Sequence, residues 1–132
     1  MKLCENDLYE LNLDIQTPCL EWIGKKFMVS SDFRESELKS LELYKNHKPA
    51  YPGLEWYVDA RNIGPIAPED TKWIVDVILP EFAAAGLRKE AFVVPKSALG
   101  RLVVKNYTSK AGDIIEIKVF PSEKEAKTWL TS

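Results

Sequence analysis

Residues 58–73 read VDARNIGPIAPEDTKW. Val58 and Asp59 close a short apolar run from Leu54 that holds Trp56 and Tyr57, which fits a buried central strand. Asn62, Gly64 and Pro65 supply turn chemistry. Pro68, Glu69 and Asp70 then open a helix, where proline fits the first turn and acidic side chains complement the macrodipole. Strand, turn and helix in that order form the repeating unit of an α/β sheet. In such sheets ligands and partners meet the carboxyl ends of the strands.

Upstream, Tyr9, Leu11, Leu13 and Ile15 alternate with Glu10, Asn12 and Asp14, the period of a half-buried strand. Gln16-Thr17-Pro18 turns the chain, and Leu20 and Trp22 alternate after it. Pairing residue 14 with residue 19 sets Leu13 opposite Leu20 and Leu11 opposite Trp22, all on one face. The same register places residue 4 opposite about residue 29, so Cys4 and Cys19 are not partners. Asp32 with Glu35 makes a capping pair for a helix striped by Phe33, Leu38, Leu41 and Tyr44, ending near Asn46-His47.

Downstream, Trp73, Ile74, Val77, Ile78 and Phe82 recur at helical spacing, and Pro80 should kink or restart that helix. Gly86 serves as its left-handed cap. Ala91 to Val94 reads as another buried strand, followed by a weaker helix from about 97 to 106. Ile115, Ile117 and Val119 alternate as at a sheet edge. Ser122 with Glu125 caps a last helix carrying Ala126, Trp129 and Leu130. The order β-β-α-β-α-β-α-β-α predicts one open mixed sheet of about five strands with helical cover, in a single α/β domain over residues 1–132. The crossovers after Asp59 and Val94 should be right-handed and join parallel strands.

The chain has 132 residues, 45% of them hydrophobic, with a formal charge of −2. That suits one domain with a real core and gives no general attraction to nucleic acid or anionic lipid. Two cysteines without ligand spacing read as reduced thiols. No apolar segment is long enough for a membrane span and the amino terminus lacks a signal-peptide pattern, so the expected compartment is the cytoplasm.

The chemistry-bearing residues are few. His47 is the single histidine, at an expected helix end, which suits a surface role better than a catalytic triad. No metal constellation, dinucleotide fingerprint or phosphate loop is present. Asp59 at a strand end either works in a site or fastens its own turn, by capping residues 62–64 or by pairing with Arg61. Arg61 beside Asn62 either holds an anion or is solvated. The tryptophans fall on expected core faces; a gap beside a kinked helix at Trp73, Ile78 and Phe82 would instead hold a small apolar ligand.

Three segments carry a family resemblance: VDARN with the Pro-Glu helix start, EFAAAGLRKEAFVVP, and IKVFPSEKEAKTWL. Together with the element order they make the whole chain resemble the small bacterial STAS-like proteins related to anti-sigma-factor antagonists. The resemblance implies an open mixed sheet with helices, no cofactor, no established catalytic activity and a protein-binding role. Better-known relatives carry a phosphorylatable Ser or Thr at the helix start after the central strand. Here Ala67 stands at that place, and alanine neither caps well nor accepts phosphate. Thr71 lies within the helix and substitutes poorly.

The expected function is therefore a non-enzymatic regulatory or protein-interaction domain. Its surface would comprise Asp59, Arg61, Asn62, Gly64, Ala67, Glu69 and Thr71, with Ser97 beside them. The alternative is a carrier of a small apolar ligand between kinked helix and sheet. A homodimer through the edge strand near Ile117 stays open.

Overall fold

The computed structural model describes residues 1–93, 105 and 107–132. Six strands form one sheet in chain order: β1 (Lys2–Glu5), β2 (Tyr9–Asp14), β3 (Cys19–Gly24), β4 (Glu55–Asp59), β5 (Lys89–Val93) and β6 (Glu116–Phe120). The pairs β1–β2 and β2–β3 are antiparallel, and β3 through β6 run parallel. Helix α1 (Ser30–His47) links β3 to β4. Helix α2 (Pro68–Trp73), a π turn (Ile74–Ile78) and α3 (Leu79–Ala84) link β4 to β5. Residues 107–111 are helical, and α4 (Glu123–Leu130) closes the described chain. The open mixed α/β sheet and its parallel crossovers agree with the sequence, with six strands rather than five.

The hairpin register is the predicted one. Asp14 faces Cys19, Leu13 faces Leu20, and Leu11 faces Trp22. Strand β1 was not expected. Asn6 reverses the chain before β2, its side-chain oxygen accepting from the N–H groups of Leu8 and Tyr9. Cys4 consequently lies opposite Leu11 and not near residue 29. With only four residues, none of them fully buried, β1 carries too little alternation to register as a strand. Both cysteines are free.

The two sheet faces are covered unequally. Trp22, Trp56, Val58 and Phe92 join Phe33, Leu41, Tyr44, Ile74, Ile78 and Phe82 in the large core beneath α1 to α3. On the opposite face Cys19, Tyr57, Ala91 and Val93 pack against Ala126 and Leu130 of α4. Lys127 of α4 ties that helix to the first hairpin, reaching Asp14 at 3.0 Å and Glu21 as well.

Several details shift. Ile15 lies past the end of β2 and is 59% exposed. Helix α1 begins at Ser30, so Asp32 sits inside its first turn and no side chain caps it. Leu38 points outward, while Ser36, Glu37 and Ser40 are buried with Phe33, Leu41 and Tyr44. Pro80 acts one turn earlier than its own position. It has no N–H for Asp76, and its ring would crowd that carbonyl. The helix widens there: Leu79 N–H bonds to the Ile74 carbonyl five residues back. Val77 is turned outward by the same change. Gly86 takes φ +110° as the expected cap, and Ser122 accepts from the Glu125 N–H. Val94, Pro95 and nearly all of the weaker helix expected over 97–106 lie outside the described residues.

Gly24 ends β3 because a side chain has no room. A Cβ there would lie 2.1 Å from Ile63 Cγ2 and 3.0 Å from the Trp22 ring. We predict that Gly24→Ala costs about 1–3 kcal/mol in urea unfolding. Ile63→Ala should recover part of that loss, giving a favourable coupling energy in the double-mutant cycle. Additive single-variant costs would exclude the contact.

Candidate functional site

The junction after β4 divides between the two faces of the sheet. Asp59 shares its face with Tyr57 and is engaged by its own turn. Arg61 returns over it, with Nε 3.0 Å and a terminal nitrogen 2.7 Å from the two carboxylate oxygens, and the Arg61 N–H also bonds Asp59 Oδ1. Asp59 is 6% exposed. This fork-to-fork pair uses both oxygens, so Asp59 has no free acceptor aimed at a substrate. The Arg61 guanidinium is held charged by that hydrogen bond and the adjacent carboxylate. The structural alternative for Asp59 is the one the geometry displays.

The following residues shape a rigid loop. Asn62 is exposed, and Gly64 takes φ +70°, a left-handed conformation open to glycine. Ala67 is the N-cap of α2 without a side-chain cap, its carbonyl accepting from the N–H groups of Asp70 and Thr71. Glu69 is exposed in the first turn. Asp70 is buried and faces back to α1, accepting from Ser30 Oγ at 2.6 Å and Arg34 Nε at 2.8 Å. Arg34 also stacks over the Trp73 ring at 4.9 Å. Thr71 is buried, and Ser97 lies outside the described residues.

Among the described residues, the expected pocket residues line no gap. Ile78 and Phe82 are fully buried, and the Phe82 ring stacks on Trp56 at 4.3 Å with Tyr44 edge-on at 5.2 Å. Trp73 is half-buried under Arg34. Because the helix widens at residues 74–78 rather than bending away at Pro80, the space beside Phe82 is filled.

A cavity of about 30 Å³ lies nearer the carboxyl ends of the strands, on the helical face. The junction supplies Val58, Ile63, Ile66 and Thr71 to its wall, while Glu37 of α1 and Glu90 of β5 supply carboxyl groups. Tyr107 donates to Glu90 Oε1 at 2.7 Å. Glu37 Oε2 has no hydrogen-bond partner among the described residues. Burial pushes the Glu37 carboxyl up to about 8. Burial, with Glu37 nearby, also raises Glu90 well above the carboxylate range despite the Tyr107 hydrogen bond.

The periodicity argument assigned the buried stripe of α1 to apolar residues, and so missed Glu37. Its position four after Phe33 and four before Leu41 was the available signal. Glu90 heads an apolar strand and carried no comparable mark.

Elsewhere, Asp14, Cys19 and Glu21 bring ligand-type atoms within 4.8 Å of one another. Lys127 occupies their centre, with ion pairs to both carboxylates. Burial pushes the Cys19 thiol up to about 12, leaving it unreactive. This group is a structural tether.

Comparison of the chain with protein-family models, curated proteins and solved structures gives no match.

The cavity acids set a pH dependence. Their folded pKa values lie above the unfolded glutamate value, so their contribution to stability is complete below about pH 4.5 and is lost as pH rises through about 8. Thermal unfolding should show stability declining from about pH 5 to about pH 8.5, by on the order of 4 kcal/mol for Glu37 alone. Glu37→Gln should flatten the profile and raise stability at its alkaline end. A wild-type profile flat over that window would show that Glu37 is not buried as an acid.

Proposed function

We propose that this chain is a non-enzymatic, cytoplasmic protein-interaction domain of the bacterial STAS-like kind. The observation that carries this reading is an apolar rim at the carboxyl ends of β3 and β4. Phe27 and Val29 are 56% and 55% exposed in the loop after β3. Pro65 and Ile66 stand beside Phe27, whose ring lies 4.0 Å from where a Gly64 Cβ would be. Large apolar side chains grouped on a surface mark contact sites for other molecules.

Both supporting loops are held in place, which keeps the ordering cost of docking small. Arg61 fastens the start of the second loop to Asp59, and Asp70 fastens its end to Ser30 and Arg34. A catalytic alternative loses its carboxylate to the Asp59–Arg61 pair, and the junction contains no nucleophile with a base beside it. A phospho-switch lacks its hydroxyl at Ala67, and Thr71 is too buried for a kinase to reach. The edge strand β6 offers a weaker surface for self-pairing, because Glu116 and Lys118 are exposed along it. No described helix is long and apolar enough to cross a membrane.

Phe27→Ser with Val29→Ser tests the rim, since both side chains are exposed and the fold should survive. In quantitative affinity capture from native lysate, a partner held by the wild type should fall about tenfold or more with the double variant. Capture of the same proteins in the same amounts by both chains would sink this reading.

A further inference from the structure

Glu37 and Glu90 line one cavity from opposite sides, α1 above and β5 below, and half of its other lining residues are aromatic, Trp22, Phe33, Trp56, Phe92 and Tyr107, the rest being mainly aliphatic. Glu37 is 4% exposed, and its Oε2 lacks a partner among the described residues. The other buried carboxylates outside this cavity have a charged partner. Glu55 Oε1 accepts from two backbone N–H groups and its Oε2, though without a hydrogen bond, lies 3.6 Å from an Arg88 nitrogen, while Asp59 meets Arg61 and Asp70 meets Arg34. A position needed only for packing would be served better by leucine or methionine, because an unsatisfied interior acid lowers stability.

We infer that this cavity binds a small primary amine, held as its ammonium form between the carboxylate of Glu37, the neutral carboxyl of Glu90 and the surrounding aromatic rings. An ammonium group offers three donors and no acceptor, the ionised Glu37 carboxylate offers acceptors only, and the neutral Glu90 carboxyl keeps a carbonyl oxygen as acceptor. Tyr107 already donates to one Glu90 oxygen at 2.7 Å, which orients that carboxyl. The faces of Trp and Tyr rings attract cations. Without the guest the two acids repel ionisation, and Glu37 keeps its proton to about pH 8. When the cation enters, Glu37 ionises and its proton leaves to solvent, so binding at neutral pH releases about one proton. An alcohol of the same shape cannot drive that exchange, and a carboxylate would be desolvated there with no cation to pair it.

Size restricts the guest further. A cavity of about 30 Å³ holds one or two waters, or an ammonium group. A second cavity of about 70 Å³, between Met28, Ser30 and the loop at Pro65 and Ala67, shares Phe33, Ile63 and Ile66 with the first. Movement of the two isoleucine side chains would join them. The joined space suits a short aliphatic body of about four carbons and is smaller than the ~150 Å³ known to hold benzene.

Isobutylamine, isobutanol and isobutyrate are the probes, with ammonium chloride as the smallest cation. Calorimetry on the full chain near neutral pH, in buffers of differing ionisation enthalpy, reads affinity and proton release. The fluorescence of the tryptophans reports occupancy.

The expected result is saturable isobutylamine binding at least about tenfold tighter than isobutanol, no isobutyrate binding, and release of about one proton. Glu37→Gln, close in shape, should weaken amine binding by about tenfold or more with an unchanged circular dichroism spectrum. Should that variant fail to fold, the wild-type comparison among probes decides alone. Equal affinity for amine and alcohol, unchanged binding in Glu37→Gln, or no saturable binding of either cation up to about 10 mM would overturn the assignment. Val29→Ser alone, a rim change whose side chain lines neither cavity, should still bind isobutylamine, so the two sites fail or stand separately.

Discussion

The constraint behind the rest of this molecule is that its six strands lie side by side in chain order, the last four parallel. Each parallel step needs a crossover, and crossovers of one hand place successive helices on one face. The helices between β3 and β6 accordingly build one core, while the opposite face is left to α4. The polar side chains Glu10, Asn12 and Glu21 suit strands whose second face stays open to water. Their partial exposure beside the fully buried β4 marks where the helical cover ends. Lys127 spans that boundary, joining α4 to Asp14 and Glu21, and a partly buried network of this kind contributes more than isolated surface pairs do.

The same constraint explains why the junction after β4 has two characters. Successive strand residues point to opposite faces. Asp59 therefore belongs to the α4 side and Val58 to the helical side. A functional reading of VDARN as one site would merge groups that the sheet separates. The carboxylate with the favourable position in the sequence is neutralised by a bidentate arginine. The two carboxyls that remain chemically unusual, Glu37 and Glu90, come from other elements and meet beneath the junction. Desolvation raises both, and the Tyr107 hydrogen bond does not offset it at Glu90.

Much of the fold was legible because local rules and tertiary packing agree. Alternation from Tyr9 to Asp14 and the 14–19 pairing gave the hairpin, since a slip of one residue would turn Leu11, Leu13, Leu20 and Trp22 to water. Gly86 and Ser122 gave their caps because each satisfies backbone groups locally. Other features depend on partners distant in the chain. Strand β1 forms only because β2 offers an edge. The π turn follows from Pro80 together with the need to keep Ile78, Leu79 and Phe82 all buried. Leu38 is exposed and Glu37 buried because the stripe through Phe33, Leu41 and Tyr44 takes in residue 37, four from both Phe33 and Leu41, and leaves residue 38 on its flank. Apolar periodicity locates a buried face but is blind to an acid placed on it.

Ile63 and Ile66 connect the surface of the junction to its interior. Each lines both the inner cavity with Glu37 and the outer one with Phe27 and Met28. Ile63 is further fixed by the absence of a side chain at Gly24, so it has little room toward β3. Whatever enlarges the inner space must therefore move these side chains toward the outer one, and whatever fills the outer space holds them inward. Two sites that share a movable wall are coupled whenever their occupants prefer different positions of that wall, and the coupling is reciprocal. Here the wall is two isoleucines on a loop anchored at both ends by buried aspartates, which confines the motion to the segment between Asp59 and Asp70.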